Sequence, residues 1–208
     1  EDAFAFAKHV STELHAGMPF FLMGHSMGAI VAVLAAISAQ KWAAFHGLLL
    51  SSPAIRLAGQ GIVPRDSLYD PLWMRVACLL DKFSAGFWPN SGAPVEQCTL
   101  EPGFADRNRS DCKHFGGMIC VGFGRRFVAA SQMAASCLAE LHCAILVMHG
   151  SADTVALPLG STWIMERAST PPRRKTLHVY KGGLHEILNT DQRADVMRDV
   201  TTWIRSRL

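Results

Sequence analysis

The residues with the clearest capacity for chemistry form the pentapeptide Gly24-His25-Ser26-Met27-Gly28, a G-x-S-x-G sequence. It follows the short apolar run Pro19–Met23 and precedes an almost wholly apolar stretch that extends to about Gln40. A serine on a tight turn between a buried strand and a helix can act as a nucleophile, because small flanking residues let the turn close. We therefore predict that Ser26 is the nucleophile and that the backbone N–H of Met27 binds an oxyanion at the helix N-terminus. The structural alternative is a glycine-rich helix cap with Ser26 as its N-cap residue.

A serine nucleophile needs a general base, because its hydroxyl is barely ionised at neutral pH. Among the nine histidines, His185 follows a predicted strand over 176–180 and a Gly182-Gly183 turn. It should therefore lie in a loop at the carboxyl end of a parallel strand, where sites in such sheets are found. We predict that His185 is the base, that His25 points away from the nucleophile, and that His149 is structural.

Asp153 has the position expected of the acid that orients the base. It comes shortly after the apolar run 144–148, in a short loop. The resulting chain order of Ser26, Asp153 and His185 is the order found in one architecture of serine hydrolases. The other aspartates are poorer candidates, because they fall in an irregular central region or at the start of the last helix, where carboxylates favour the positive end of the helix dipole. These are Asp70, Asp81, Asp106, Asp111, Asp191 and Asp195.

The sequence predicts neither a metal site nor a cofactor. His185-Glu186 begins like the H-E-x-x-H motif of zinc proteases, but Asn189 occupies the position of the second histidine. The six cysteines form no C-x-x-C pair and have no zinc-ligand spacing. They are therefore interpreted as reduced thiols of a cytoplasmic protein.

Short apolar runs alternate with helical patterns along the chain, which predicts an α/β fold with a parallel sheet flanked by helices. The predicted strands cover 19–23, 46–52, 144–148 and 176–180, and helices are expected over 2–16, 27–40, 72–83, 125–138, 160–168 and near the C-terminus. Three segments result from this pattern. Residues 1–52 form the first part of the core, 53–140 an inserted, mainly helical cap, and 141–208 the second part of the core.

Composition excludes several classes of protein. Half of the 208 residues are hydrophobic and 18% are charged, so the chain can bury a core. The formal net charge is only +3, and no basic patch with interleaved aromatic residues is present, so a nucleic-acid partner is not expected. No run approaches the ~18 apolar residues that a membrane span requires. The acidic start at Glu1-Asp2 does not resemble a signal peptide.

Four segments resemble the α/β-hydrolase superfamily, and within it the monoacylglycerol lipase and lysophospholipase branch that is grouped with the S33 serine aminopeptidases. They are GHSMGA at 24–29, GLLLSSPA at 47–54, ILVMHGSADTV at 145–155 and KTLHVYKGGLHEILNTD at 175–191. The resemblance implies an α/β-hydrolase fold with Ser26 as nucleophile, Asp153 as acid and His185 as base. It also implies hydrolysis of esters of small lipids without a cofactor, with the cap forming an apolar acyl tunnel.

The resemblance also leads us to expect that the N-terminal strands of the fold are absent from this sequence, which would then be the C-terminal two thirds of a longer enzyme. Those strands carry the loop that usually supplies the second oxyanion N–H. One alternative is therefore an impaired hydrolase-like protein that binds a lipid or a partner. Another is an acyltransferase or a peptidase that uses the same three residues. Transient contact between the 72–83 helix and a membrane surface is a further interpretation, with packing inside the cap the simpler one.

Overall fold

The computed structural model describes residues 2–10, 12, 18–42, 45–57, 72, 75, 76, 79, 95–112 and 121–208. Within these ranges the strands are β1 (Phe20–His25), β2 (Phe45–Ser51), β3 (Ile145–Gly150) and β4 (Lys175–Tyr180). The helices are α1 (Asp2–His9), α2 (Met27–Ala39), α3 (Phe104–Ser110), α4 (Val121–Ser136), α5 (Leu159–Arg167) and α6 (Arg193–Arg205).

The described strands form one parallel sheet in the order β1-β2-β3-β4. Side chains of β2 and β3 alternate between two apolar clusters. Leu48, Leu50, Ile145 and Val147 belong to one cluster, with side chains of α2, α4 and α5. Leu49, Leu146 and Met148 belong to the other, with side chains of α6. The sheet is therefore covered by helices on both faces, which requires the nearly continuous apolar sequence of its central strands.

Strands β1 and β3 continue further than their apolar runs indicate. β1 was predicted to end at Met23, but Gly24 and His25 pair with Leu50 and Ser51 of β2. β3 likewise continues to Gly150, which pairs with Tyr180 of β4. Ladder hydrogen bonds join backbone groups whatever the side chains are, so a strand can extend beyond its hydrophobic segment.

The predicted cap over 53–140 lies only partly within the described residues. Between β2 and β3 the described elements are helical: α3, α4, a turn of 3₁₀ helix at Val95–Gln97 and another at Leu138–Glu140. Of the helix predicted over 72–83, only residues 72, 75, 76 and 79 are described, and these are helical. The division of the chain at 52 and 140 remains a prediction.

Candidate active site

Ser26 occupies a strained turn between β1 and α2. Its backbone angles are φ 53° and ψ −119°, a conformation that non-glycine residues rarely adopt. Three hydrogen bonds hold the turn. The Ser26 N–H donates to the Ser51 carbonyl at 2.9 Å, and the Ser26 carbonyl accepts from the N–H groups of Ala29 and Ala54, each at 3.1 Å. The turn is thus fixed to the end of β2 and to the loop that follows it.

The two glycines of the pentapeptide contribute differently to this turn. A Cβ on Gly24 would lie 2.5 Å from the Gly28 carbonyl oxygen and 2.7 Å from the Cα of Ala29. A Cβ on Gly28 would meet no described atom within 4 Å beyond its chain neighbours and the backbone of its own helix. The turn therefore requires a glycine at position 24, where an added Cβ would clash with backbone atoms of Gly28 and Ala29.

We expect Gly24→Ala to destabilise the protein by about 1–3 kcal/mol, because neither backbone atom can move without opening the turn. Gly28→Ala is the matched control, and should be neutral or stabilising, since alanine is the better helix former by up to ~1 kcal/mol. Urea unfolding monitored by circular dichroism measures both changes. Equal unfolding midpoints for the two variants would contradict the steric explanation.

His185 lies in the loop after β4, and its ring joins the nucleophile to the acid. Its Nε2 is 2.8 Å from Ser26 Oγ, and its Nδ1 is 2.8 Å from Asp153 Oδ2. The main chain of His185 is also held, because the Ser52 hydroxyl donates to its carbonyl oxygen at 2.7 Å. The structure thus brings the three side chains of Ser26, His185 and Asp153 together, with His185 between the other two.

Asp153 is buried, and both of its carboxylate oxygens accept hydrogen bonds. Oδ1 accepts from the N–H groups of Val155 and Ala156, at 2.8 and 3.1 Å. Oδ2 lies 2.8 Å from His185 Nδ1 and 3.0 Å from His149 Nε2. Burial by itself would raise the pKa of this carboxyl, but hydrogen bonds from the two histidines outweigh burial and lower the pKa from 3.8 to about 2. Asp153 is therefore a carboxylate at neutral pH.

His149, expected to be structural, is a fully buried partner of the acid. Its Nε2 lies 3.0 Å from both Asp153 Oδ2 and the Ala156 carbonyl oxygen. Both are acceptors, so Nε2 carries the proton, and Nδ1 accepts from the Ser161 hydroxyl at 2.6 Å. Sequence reasoning missed this contact, because a spacing of four residues between His149 and Asp153 does not show that their side chains meet.

Met27 begins α2 directly after the strained serine. Its backbone N–H is at the helix N-terminus, where N–H groups lack intrahelical acceptors and the helix dipole favours negative charge. Its role as an oxyanion donor stays a prediction.

Accessibility distinguishes Ser26 from other serines that bond to histidine in the described part of the chain. Ser51 contacts His25 and Ser161 contacts His149, but both serines are almost fully buried. Ser26 is only half-buried and is followed by the exposed residues Met27 and Gly28. Ser26 is thus the most exposed of these three serines.

The described residues contain neither a metal-binding cluster nor a membrane-spanning helix. No group of three His, Cys, Asp or Glu side chains among them could hold a metal ion. No helix in the described ranges is both long enough and apolar enough to cross a membrane.

Comparison with known proteins assigns this chain to a family. The profile of the family described as serine aminopeptidase, S33 (Hydrolase_4) matches residues 1–192. The chain is 27% identical to a monoacylglycerol lipase of Mycolicibacterium smegmatis, over 93% of this chain and 65% of the relative. It is also 27% identical to the monoglyceride lipase of Rattus norvegicus, over 97% of this chain and 64% of that protein. The chain thus spans slightly less than two thirds of the length of these relatives.

A crystal structure of the Paleococcus ferrophilus monoacylglycerol lipase superposes on the fold with a TM-score of 0.78. That likeness covers 100% of this chain and 75% of the other, at 21% sequence identity. The predicted resemblance and the predicted fold are both confirmed. The chain belongs to the serine aminopeptidase S33 family and has the α/β-hydrolase fold.

Proposed function

We propose that this chain is a serine hydrolase that cleaves carboxylic esters of small lipids, monoacylglycerols or lysophospholipids, through an acyl-enzyme. The observation that carries the proposal is the continuous hydrogen-bonded path from Ser26 Oγ through His185 to Asp153, with 2.8 Å at each step. A hydroxyl on a strained turn, next to a base that is held by a buried carboxylate, is arranged for nucleophilic catalysis.

In the proposed mechanism, Ser26 Oγ attacks the ester carbonyl carbon while His185 Nε2 takes the hydroxyl proton. The Asp153 carboxylate accepts from His185 Nδ1–H and stabilises the imidazolium that forms. The backbone N–H of Met27 donates to the carbonyl oxygen as it becomes negative. The bond between the acyl carbon and the alcohol oxygen then breaks, and His185 gives its proton to that oxygen.

The second half of the cycle repeats these transfers with water. Water attacks the acyl carbon while His185 Nε2 removes one of its protons, which then returns to Ser26 Oγ as the acyl–serine bond breaks. A fatty acid leaves, and the chain is restored with no cofactor consumed. Proton transfer by a positioned imidazole contributes about 10²–10⁴ to the rate of each half.

The lipid substrate is supported by the names of the relatives, several of which are monoacylglycerol or monoglyceride lipases. A caffeoylshikimate esterase from Arabidopsis thaliana is 26% identical over 98% of this chain, so an ester with a different acyl and alcohol part is the second candidate. Parallel assays with a monoacylglycerol, a lysophospholipid and a phenolic ester would separate these substrates. An added acyl acceptor would reveal transferase activity.

A fluorophosphonate probe tests the nucleophile before any substrate is known. We expect one adduct, at Ser26, located by mass spectrometry of the digested protein, because in the described part of the chain Ser26 is the most exposed serine that bonds to a histidine. Ser131→Ala offers a control, since Ser131 is buried and donates to the carbonyls of Ala54 and Ile55. An adduct at another serine, or none on folded protein, would contradict the proposal.

A further inference from the structure

His25 and Glu186 are the immediate sequence neighbours of Ser26 and His185, respectively, and they bond to each other. The Nε2 of His25 lies 3.1 Å from Glu186 Oε1, across a separation of 161 residues. The nucleophile turn and the loop that carries His185 are therefore joined twice, once by Ser26 with His185 and once by the residues beside them.

This second link is itself held at both ends. The Ser51 hydroxyl lies 3.2 Å from His25 Nδ1, and Asn189 Nδ2 donates to Glu186 Oε2 at 3.0 Å. The Glu186 N–H donates to the Cys98 carbonyl at 2.7 Å. His25 with its proton on Nε2 satisfies both of its contacts, because the hydroxyl can donate to Nδ1 and the carboxylate can only accept.

The His25 ring also lies beside the His185 ring, with 5.0 Å between the centroids and 49° between the planes. The hydrogen bond from His25 lowers the pKa of the Glu186 carboxyl, so this group is a carboxylate at neutral pH. Ser52 and Asp153 also bond to His185, at its carbonyl oxygen and at Nδ1. The contact between His25 and Glu186 is a further link between the two loops, close to the His185 ring.

We infer, on the basis of the proposed serine hydrolase function, that His25 and Glu186 are positioning residues that hold His185 Nε2 within hydrogen-bond distance of Ser26 Oγ. Neither side chain bonds to Ser26 or takes a proton in the mechanism above. Their effect is on geometry, and geometric errors of about 1 Å at reacting atoms cost on the order of 10²-fold in rate.

A double-mutant cycle on the rate of fluorophosphonate labelling of Ser26 tests this inference. His25→Phe keeps a ring beside His185 but removes both hydrogen bonds, and Glu186→Ala removes the acceptor. We expect each variant to label about 10- to 100-fold more slowly, and the double variant to label no more slowly than the worse single variant. Additive losses, or labelling of either single variant at the rate of the unaltered protein, would overturn the inference.

Two further variants separate positioning from a general loss of stability. Glu186→Gln retains a carbonyl oxygen for His25 Nε2–H, so its labelling rate should stay within about threefold of the original rate. Asp195→Ala breaks a surface ion pair with Arg198 on α6 and should leave the rate unchanged. Loss of reactivity in Glu186→Gln as large as in Glu186→Ala would contradict a positioning role.

A spectroscopic measurement tests the positioning role of His25 and Glu186 even if Ser26 does not react with the probe. Failure of Ser26 to react would refute the proposed function but not the positioning role. The nitrogen-15 resonance of His185 Nε2 shifts when that atom accepts the Ser26 hydroxyl proton, and Ser26→Ala supplies the spectrum without this bond. We expect His25→Phe and Glu186→Ala to move the resonance toward the Ser26→Ala position, and Glu186→Gln to leave it in place. An unchanged resonance in both of the first two variants would overturn the inference.

Discussion

Replacing Ser26 by alanine is expected to lower kcat/KM for a lipid ester by about 10⁴- to 10⁶-fold, because no other group can form the acyl-enzyme. The fold should persist. Alanine and serine share a Cβ, so the strained backbone is equally accessible to both. Among the described residues, the side-chain hydrogen bond lost is the one to His185. Hydrolysis measured by titration of released fatty acid, together with thermal unfolding, checks both expectations.

Ser136→Ala is the control for Ser26→Ala, because it removes an exposed hydroxyl of α4 that donates to the Met133 carbonyl. It should retain full activity. Residual hydrolysis by Ser26→Ala within tenfold of the unaltered protein would show that water is activated directly, without a covalent intermediate.

Asp153→Asn is expected to lower kcat by about 10⁴-fold, through the tautomer of His185. The Val155 and Ala156 N–H groups both donate to Oδ1, so the asparagine carbonyl must take that position. The amide NH₂ then faces His185 Nδ1, and because this NH₂ can only donate a hydrogen bond, Nδ1 must be the acceptor. The ring proton moves to Nε2, where it blocks acceptance of the Ser26 proton. KM should change little, since Asp153 is buried beneath His185.

A matched control for the loss of one carboxylate is Asp106→Asn, which alters an exposed residue of α3 and should leave kcat unchanged. The nitrogen-15 spectrum of His185 adds a direct test, because the expected change of tautomer exchanges the protonated and unprotonated ring nitrogens. An Asp153→Asn variant that keeps its Nδ1 proton and its activity would refute this explanation.

Ser26, Asp153 and His185 could be predicted because each follows an apolar run closely, so sequence position alone places each of them at the carboxyl edge of the sheet. Their partners could not be found in this way. Nothing near His149 indicates that it shares Asp153 with His185, and nothing near Glu186 indicates His25, since such contacts depend on how separate loops pack. Ser51 and Ser161 also bond to histidines, but they are buried and Ser26 is not. This difference in burial cannot be read from the residue types.

The helices and strands themselves were predicted well where apolar spacing was regular. α2 runs over Met27–Ala39, close to the predicted end at Gln40, and α4 begins four residues earlier than expected. Strand ends were less accurate, because β1 and β3 are extended by backbone pairing through glycine and histidine. Outside the helices predicted over 72–83 and 125–138, the cap has scattered glycine and proline and shows no regular spacing of apolar residues from which to predict further elements.

The hydrogen bonds between Ser26 and His185 and between His185 and Asp153 span 159 and 32 residues. Such distant contacts form only after long loops have closed, which makes them late and slow events in folding. Ser26, Asp153 and His185 follow the ends of β1, β3 and β4, respectively. A chain with a partly assembled sheet therefore cannot bring all three side chains together. The proposed hydrolysis would thus require the finished molecule, and we expect none from a nascent or partly unfolded chain.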